Sequence, residues 1–183
     1  MLRSLVFAFC VAAAPAVASG LKITVEGEAS GVIEIDLLED IAPNHVAQIT
    51  QLANDGFYDD VYFHRVMKGF MAQTGDGQYG KVGAGDIRRA GTGDSNLPNL
   101  NAEFSDIPFE RGVVGMARTP DINSANSQFF IMFDAASHLD GQYTVVGRVT
   151  SGLDVLDAIK LGRGGNGAII GEPDRMTRVE VTE

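Results

Sequence analysis

The run Phe63-His64-Arg65-Val66-Met67-Lys68-Gly69-Phe70-Met71-Ala72-Gln73-Thr74-Gly75-Asp76 sets two short apolar stretches on either side of a Lys-Gly turn. Side chains alternate across an extended strand, so residues 63 and 65 are expected on one face, and 71 and 73 share a face across the turn. An arginine and a glutamine can then meet beside apolar side chains. Taken alone, the pairing fits a surface arginine next to a core as well as it fits a site.

Outward from this run, the chain reads as strands with two helices. Ile33 and Ile35 alternate with Glu34 and Asp36, and residues 21–25 are the expected hairpin partner. After Asp40 the period changes: Val46, Ile49, Leu52 and Ala53 recur at helical spacing, Pro43 suits a first turn and Gly56 a stop, which predicts a helix of about a dozen residues. Short apolar or aromatic runs follow at 62–66, 70–73, 113–117, 128–133 and 143–149, each bounded by glycine, proline or aspartate. Asp140-Gly141 signals a tight turn between the last two. Ser151 with Asp154 three residues on opens a second helix through Val155, Leu156 and Ile159, and residues 176–181 form a closing strand. Few crossover helices and many short strands predict an all-β (mainly β) fold, an antiparallel sheet closing on itself with two helices at its open ends. Residues 77–100, poor in aliphatics and rich in glycine, read as one long loop.

The first twenty residues read differently. Arg3, an apolar run over residues 5–14 and the small-residue sequence Ala16-Val17-Ala18 make the three-part pattern of a signal peptide over residues 1–18, cleaved after Ala18. The apolar run is shorter than the ~20 residues of a spanning helix, and no later stretch approaches one, so no membrane span is expected. The single cysteine, Cys10, lies inside this segment. The remaining residues 19–183, about 165 in all, suit one domain. They carry 13 basic against 24 acidic side chains, a balance that repels phosphate backbones and excludes nucleic acid as a partner.

Chemistry-bearing residues are sparse. With three histidines, His45, His64 and His138, no His-x-x-x-His pair and no cysteine after the signal, the usual zinc ligands are missing, and neither metal nor cofactor is expected. No Gly-x-Ser-x-Gly elbow supports a serine hydrolase, and Ser127 beside Gln128 has no local partner. The runs Gly91-Thr92-Gly93 and 162–167 match no phosphate-binding pattern and read as turns.

A second stretch, Gly115-Met116-Ala117-Arg118 followed by Ser127-Gln128-Phe129-Phe130-Ile131, repeats the mixture of aromatics and glutamine. Here the sequence resembles the cyclophilin peptidyl-prolyl isomerases: residues 63–76, 112–117, 124–131 and Leu139-Asp140-Gly141 agree with that family in order and spacing over about 33–149. With the signal segment it looks most like the exported, periplasmic bacterial members. The resemblance implies a closed eight-stranded antiparallel barrel capped by two α-helices, and a monomeric isomerase acting on proline-containing unfolded or newly translocated polypeptides. It implies a catalytic Arg65 with Gln73 orienting it and bonding substrate backbone, and His64 on the same strand in an orienting or packing role. Phe70, Met71, Phe130 and Leu139 would form the proline pocket. Ala117 and the backbone of Arg118 would form a strand edge for the peptide, with Gln128, His138 and Tyr143 as further wall residues. The pattern departs at His138, where many eukaryotic members have tryptophan, and at Tyr143, where many have histidine. The same groove without turnover would make a binding module for proline segments.

Overall fold

The computed structural model describes residues 19–84 and 86–183, so the expected signal segment lies outside the described residues. Nine strands form one sheet: β1 Gly20–Glu26, β2 Gly31–Leu37, β3 Val61–Tyr62, β4 Arg65–Met67, β5 Met71–Thr74, β6 Val113–Met116, β7 Phe129–Met132, β8 Val145–Ser151 and β9 Arg175–Thr182. Two helices accompany them, α1 Pro43–Asn54 and α2 Leu153–Ala158. The strand order is β3-β9-β1-β2-β8-β6-β7-β5-β4, and every named pair is antiparallel.

The expected hairpin forms with Leu21 opposite Ile35 and Ile23 opposite Ile33, four side chains that all enter the core. Nine strands appear where eight were expected because the run over 62–66 is broken at Phe63 and His64. Its first piece, β3, pairs with β9, and its second, β4, pairs with β5. These pieces are the two ends of the strand order. The sheet therefore curls round until its ends meet in the covalent chain rather than in a ladder. The segment between α2 and β9 fills that seam: Gly162 N donates to Val66 O (2.9 Å), and Arg65 bridges Ala168 on the side of β4 away from β5. At the other end Val61 of β3 bridges Lys81.

The break also overturns one expectation. Phe63 is fully buried in the core whereas Arg65 faces outward, so these two residues do not share a face. Elsewhere the alternation holds and sorts side chains into two apolar clusters. Val66, Ala72, Val114, Met116, Phe129 and Ile131 join the barrel interior, which α1 covers with Val46, Ile49 and Leu52 and α2 with Leu156. Met71, Val113, Phe130 and Met132, from the same strands, lie in a second cluster with Phe109, Leu139 and Val145. This outer cluster is the floor of the site.

Helix α1 begins with Ala42 in the N-cap place and has no side-chain cap of its own. The carboxylate of Glu103 replaces one, accepting from the backbone N–H groups of Asn44 (3.2 Å) and His45 (3.1 Å). Helix α2 starts one residue later than its sequence suggests, with Gly152 rather than Ser151 at the cap. Gly152 has φ 87°, and a Cβ there would come within 2.1 Å of Val32 O, so the chain turns into the helix at the glycine. Asp140-Gly141 is a turn, yet the strands on either side of it are not neighbours, since β6 lies between β7 and β8.

The loop over 77–100 is organised by Asp76, whose carboxylate is fully buried. One oxygen accepts from Gln78 N (3.0 Å) and Tyr79 N (2.8 Å), the other from Gly91 N (2.7 Å) and Gly93 N (2.9 Å). Four backbone donors thus converge on one side chain at both ends of the loop. Asp76→Ala strands several of them, each unsatisfied group costing ~1–3 kcal/mol. Denaturant unfolding is expected to show a loss of about 3 kcal/mol or more; a loss within error of zero would mean that the loop is held by something else.

Candidate active site

Arg65 stands on β4 directly opposite Gln73 on β5, and Gln73 stands opposite Phe130 on β7. All three project to the outer face. Phe130 lies beside Gly115 on β6, where a Cβ would come within 2.6 Å of both Phe109 and Phe130. The missing side chain lets the Phe130 ring stack on Phe109 (centroids 5.7 Å, 27°) while Tyr143 meets it edge-on (5.8 Å, 82°). Phe70 packs at 5.7 Å from the ring of His138, which the short 3-10 turn Ser137–Leu139 carries to the rim.

These side chains enclose a hollow of about 280 Å³ lined by Arg65, Phe70, Met71, Gln73, Ala117, Arg118, Phe130, His138, Leu139 and Tyr143. Ten of the twelve residues singled out from the sequence therefore meet at one place. The other two stand behind its wall. Gln128 lines an adjoining hollow of about 100 Å³, and His64 lines one of about 280 Å³ on the far side of Arg65. Gln73 borders all three.

The Arg65 guanidinium is tethered on both flanks. NH1 donates to Gln73 Oε1 (3.1 Å); Nε donates to the backbone O of Asn166 (2.9 Å) and NH2 to its Oδ1 (3.1 Å). The sulfurs of Met67 (3.0 Å from NH2) and Met71 (3.7 Å from NH1) lie beneath. Gln73 is held in turn: its Nε2 donates to Gln128 Oε1 (3.0 Å), and Gln128 Nε2 donates to Gly93 O (2.9 Å). The N–H of the same Gly93 donates to Asp76. Burial draws the Arg65 pKa below its ordinary value, with Tyr143 opposing, yet a guanidinium stays charged at neutral pH.

Asn166 was not singled out from the sequence, where it lay in a glycine run read as turns. It does sit in a turn, with φ 57°, a left-handed conformation that asparagine tolerates better than most residues. Asp76 was likewise missed, although an aspartate leading into a glycine-rich loop is a recognisable signal for a carboxylate that gathers backbone donors.

His64 is not among the tethers of Arg65. The residue is 8% exposed, and neither ring nitrogen meets a partner in hydrogen-bond geometry, although the Tyr62 carbonyl is near enough to favour the protonated form. Burial pushes its pKa down to about 4, against the opposing pull of Asp76. At neutral pH the imidazole is uncharged and packs behind Arg65. No group of three or more His, Cys, Asp or Glu side chains suited to a metal occurs among the described residues.

An outward-facing guanidinium held over an apolar hollow on a curled antiparallel sheet has the shape and chemistry to receive a small apolar ring and polarise a group beside it. Residues 21–181 match the family described as cyclophilin type peptidyl-prolyl cis-trans isomerase/CLD. A probable peptidyl-prolyl cis-trans isomerase of Brucella suis is 53% identical over 152 residues, covering 82% of this chain and 78% of that one. A peptidyl-prolyl cis-trans isomerase of Helicobacter pylori is 39% identical over 134 residues, covering 72% and 76%. The crystal structure of a cyclophilin from Hirschia baltica superimposes with a TM-score of 0.70 at 28% identity over 88% of this chain and 73% of that one. The chain belongs to the cyclophilin-type peptidyl-prolyl cis-trans isomerases.

The unfolded chain takes up the His64 proton near pH 6.5 and the folded one only near pH 4. This contribution to stability is therefore complete above pH 6.5 and is lost as the pH falls toward 4, by about 3 kcal/mol at most. Unfolding measured between pH 7 and 4.5 is expected to show a smaller loss in His64→Gln than in the wild type. Equal slopes would remove the buried neutral histidine from the account.

Proposed function

We propose that this isomerase acts in the periplasm on X-Pro bonds of newly exported or unfolded chains, with Arg65 as the catalytic residue. An X-Pro amide turns slowly because its nitrogen lone pair is shared with the carbonyl; the barrier is ~18–20 kcal/mol and uncatalysed exchange takes tens to hundreds of seconds. No covalent bond has to break. A catalyst needs only to hold the ring, leave the preceding carbonyl free to turn, and favour the twisted state, in which the lone pair is localised on nitrogen. Phe130, Met71, Leu139 and Phe70 supply the apolar walls for the ring.

The observation that carries the assignment is the way Arg65 is held. A guanidinium has five N–H donors. Three of them meet the oxygens of Gln73 and Asn166; the other two meet only the sulfurs of Met71 and Met67, weak acceptors that a substrate group can displace. Donors fixed in advance of the reaction do not have to reorganise when the lone pair localises, which is where such groups contribute most. Gln73 and Asn166 act as positioning residues, Gln128 through Gln73, and neutral His64 as packing behind them.

Arg65→Ala is expected to lower kcat/KM on an X-Pro test peptide by about 10²–10³-fold with the circular dichroism spectrum retained. Arg65→Lys leaves most of that loss in place, since one ammonium cannot span both tethers. In the same assay Asn166→Gly keeps the left-handed turn and the backbone acceptor but removes Oδ1, and lowers kcat more than it raises KM. Asn166→Asp restores the acceptor and the rate. Full activity in Arg65→Ala would refute the assignment and favour a proline-binding module.

The periplasmic part of the proposal rests on the sequence pattern of residues 1–18. Protein recovered from the cell envelope is expected to begin at Ser19. Recovery of the intact chain from the cytoplasm alone would overturn it.

A further inference from the structure

Among the described residues Arg88, Arg111, Arg148, Arg175 and Arg178 each meet a carboxylate. Arg65, Arg89, Arg118 and Arg163 do not, and of these four Arg65 and Arg118 line the proline hollow. Arg118 is not a loose surface side chain. NH1 donates to Thr119 O (2.9 Å), NH2 donates to Gln142 O (2.9 Å), and the guanidinium carbon lies 4.4 Å from the centre of the Tyr143 ring. Its Nε is buried without any partner. Two cations thus border one small hollow with neutral oxygens as their acceptors, on a chain carrying 24 acidic side chains. The carboxylate of Asp94 lines the adjoining hollow beside Arg118, not this one.

A pocket whose fixed charges have one sign and no internal counter-ion is complementary to a ligand that brings the opposite charge. Resting on the assignment of the hollow to the proline ring, we propose that Arg118 selects X-Pro segments that carry an aspartate or glutamate next to the proline. The acidic side chain lies along the Tyr143 wall and supplies the missing counter-charge. The backbone of residue 118 can hold any peptide; its side chain discriminates among them.

The test uses two sets of proline tetrapeptides, one varied among Glu, Gln and Lys at the residue before proline, the other at the residue after it. In one set, wild type is expected to turn over the Glu peptide about two- to fivefold faster than the Gln peptide, as a partly exposed ion pair provides, with the Lys peptide slowest. High salt compresses the difference. Arg118→Gln abolishes the ranking and Arg118→Lys keeps much of it, each rate being read relative to the same variant's Gln peptide and circular dichroism reporting the fold. Equal rates within both sets for the wild type, or a ranking that survives Arg118→Gln, overturn the proposal while leaving the isomerase assignment intact. No turnover of any peptide overturns both together.

Discussion

A relay of hydrogen bonds running from a buried carboxylate to a half-buried cation sets the geometry of this protein. Asp76 fixes the amide of Gly93, the carbonyl of Gly93 fixes Gln128, Gln128 fixes Gln73, and Gln73 fixes one edge of the Arg65 guanidinium. Every amide in the relay donates in the same sense, so the glutamines can take only one orientation. Asn166 closes the other edge from a separate segment. The Arg65 guanidinium is positioned by the loop, strands β4 and β5, the residue before β7 and the seam together, and no single element would hold it.

The barrel makes room for this because its strands serve two faces at once. On β7, Phe129 and Ile131 fill the interior while Phe130 and Met132 belong to the outer cluster. On β5, Ala72 turns inward between Met71 and Gln73. The packing that stabilises the fold is thus one residue away, on the same strands, from the packing that shapes the hollow. Arg65, Met71, Gln73 and Phe130 stand on paired strands while the rim comes from turns and loops, so the floor of the hollow is fixed by the ladder, which suits a reaction that depends on holding one ring still while its neighbour turns.

The parts legible in the sequence are those governed by local periodicity. Alternation at 71–73 and helical spacing at Val46, Ile49 and Leu52 act within a few residues, and the structure follows them. The expectation failed at Phe63 and Arg65 because the chain changes partner there, from β9 to β5, and a change of partner leaves no mark in the local pattern. Asn166 was illegible for a related reason: it meets Arg65 across 101 positions, from a turn whose glycines hid it. Ten of the twelve candidate residues converge on the hollow, yet Asp76, the last residue of the matching run, was given no role, and Asn166 lay outside the matching stretches. Those two make tethers, and a tether is defined by what it reaches.

The seam has a meaning beyond geometry. A sheet that ends in open strands offers unpaired amides and carbonyls to any extended chain nearby. Here β3 is flanked by Lys81 and β4 by Ala168, so both ends of the strand order are occupied by the protein's own backbone. For an isomerase proposed to act on unfolded polypeptides, this separates catalysis from templating. An extended chain that reaches the hollow finds at these ends no open edge on which to add itself as another strand.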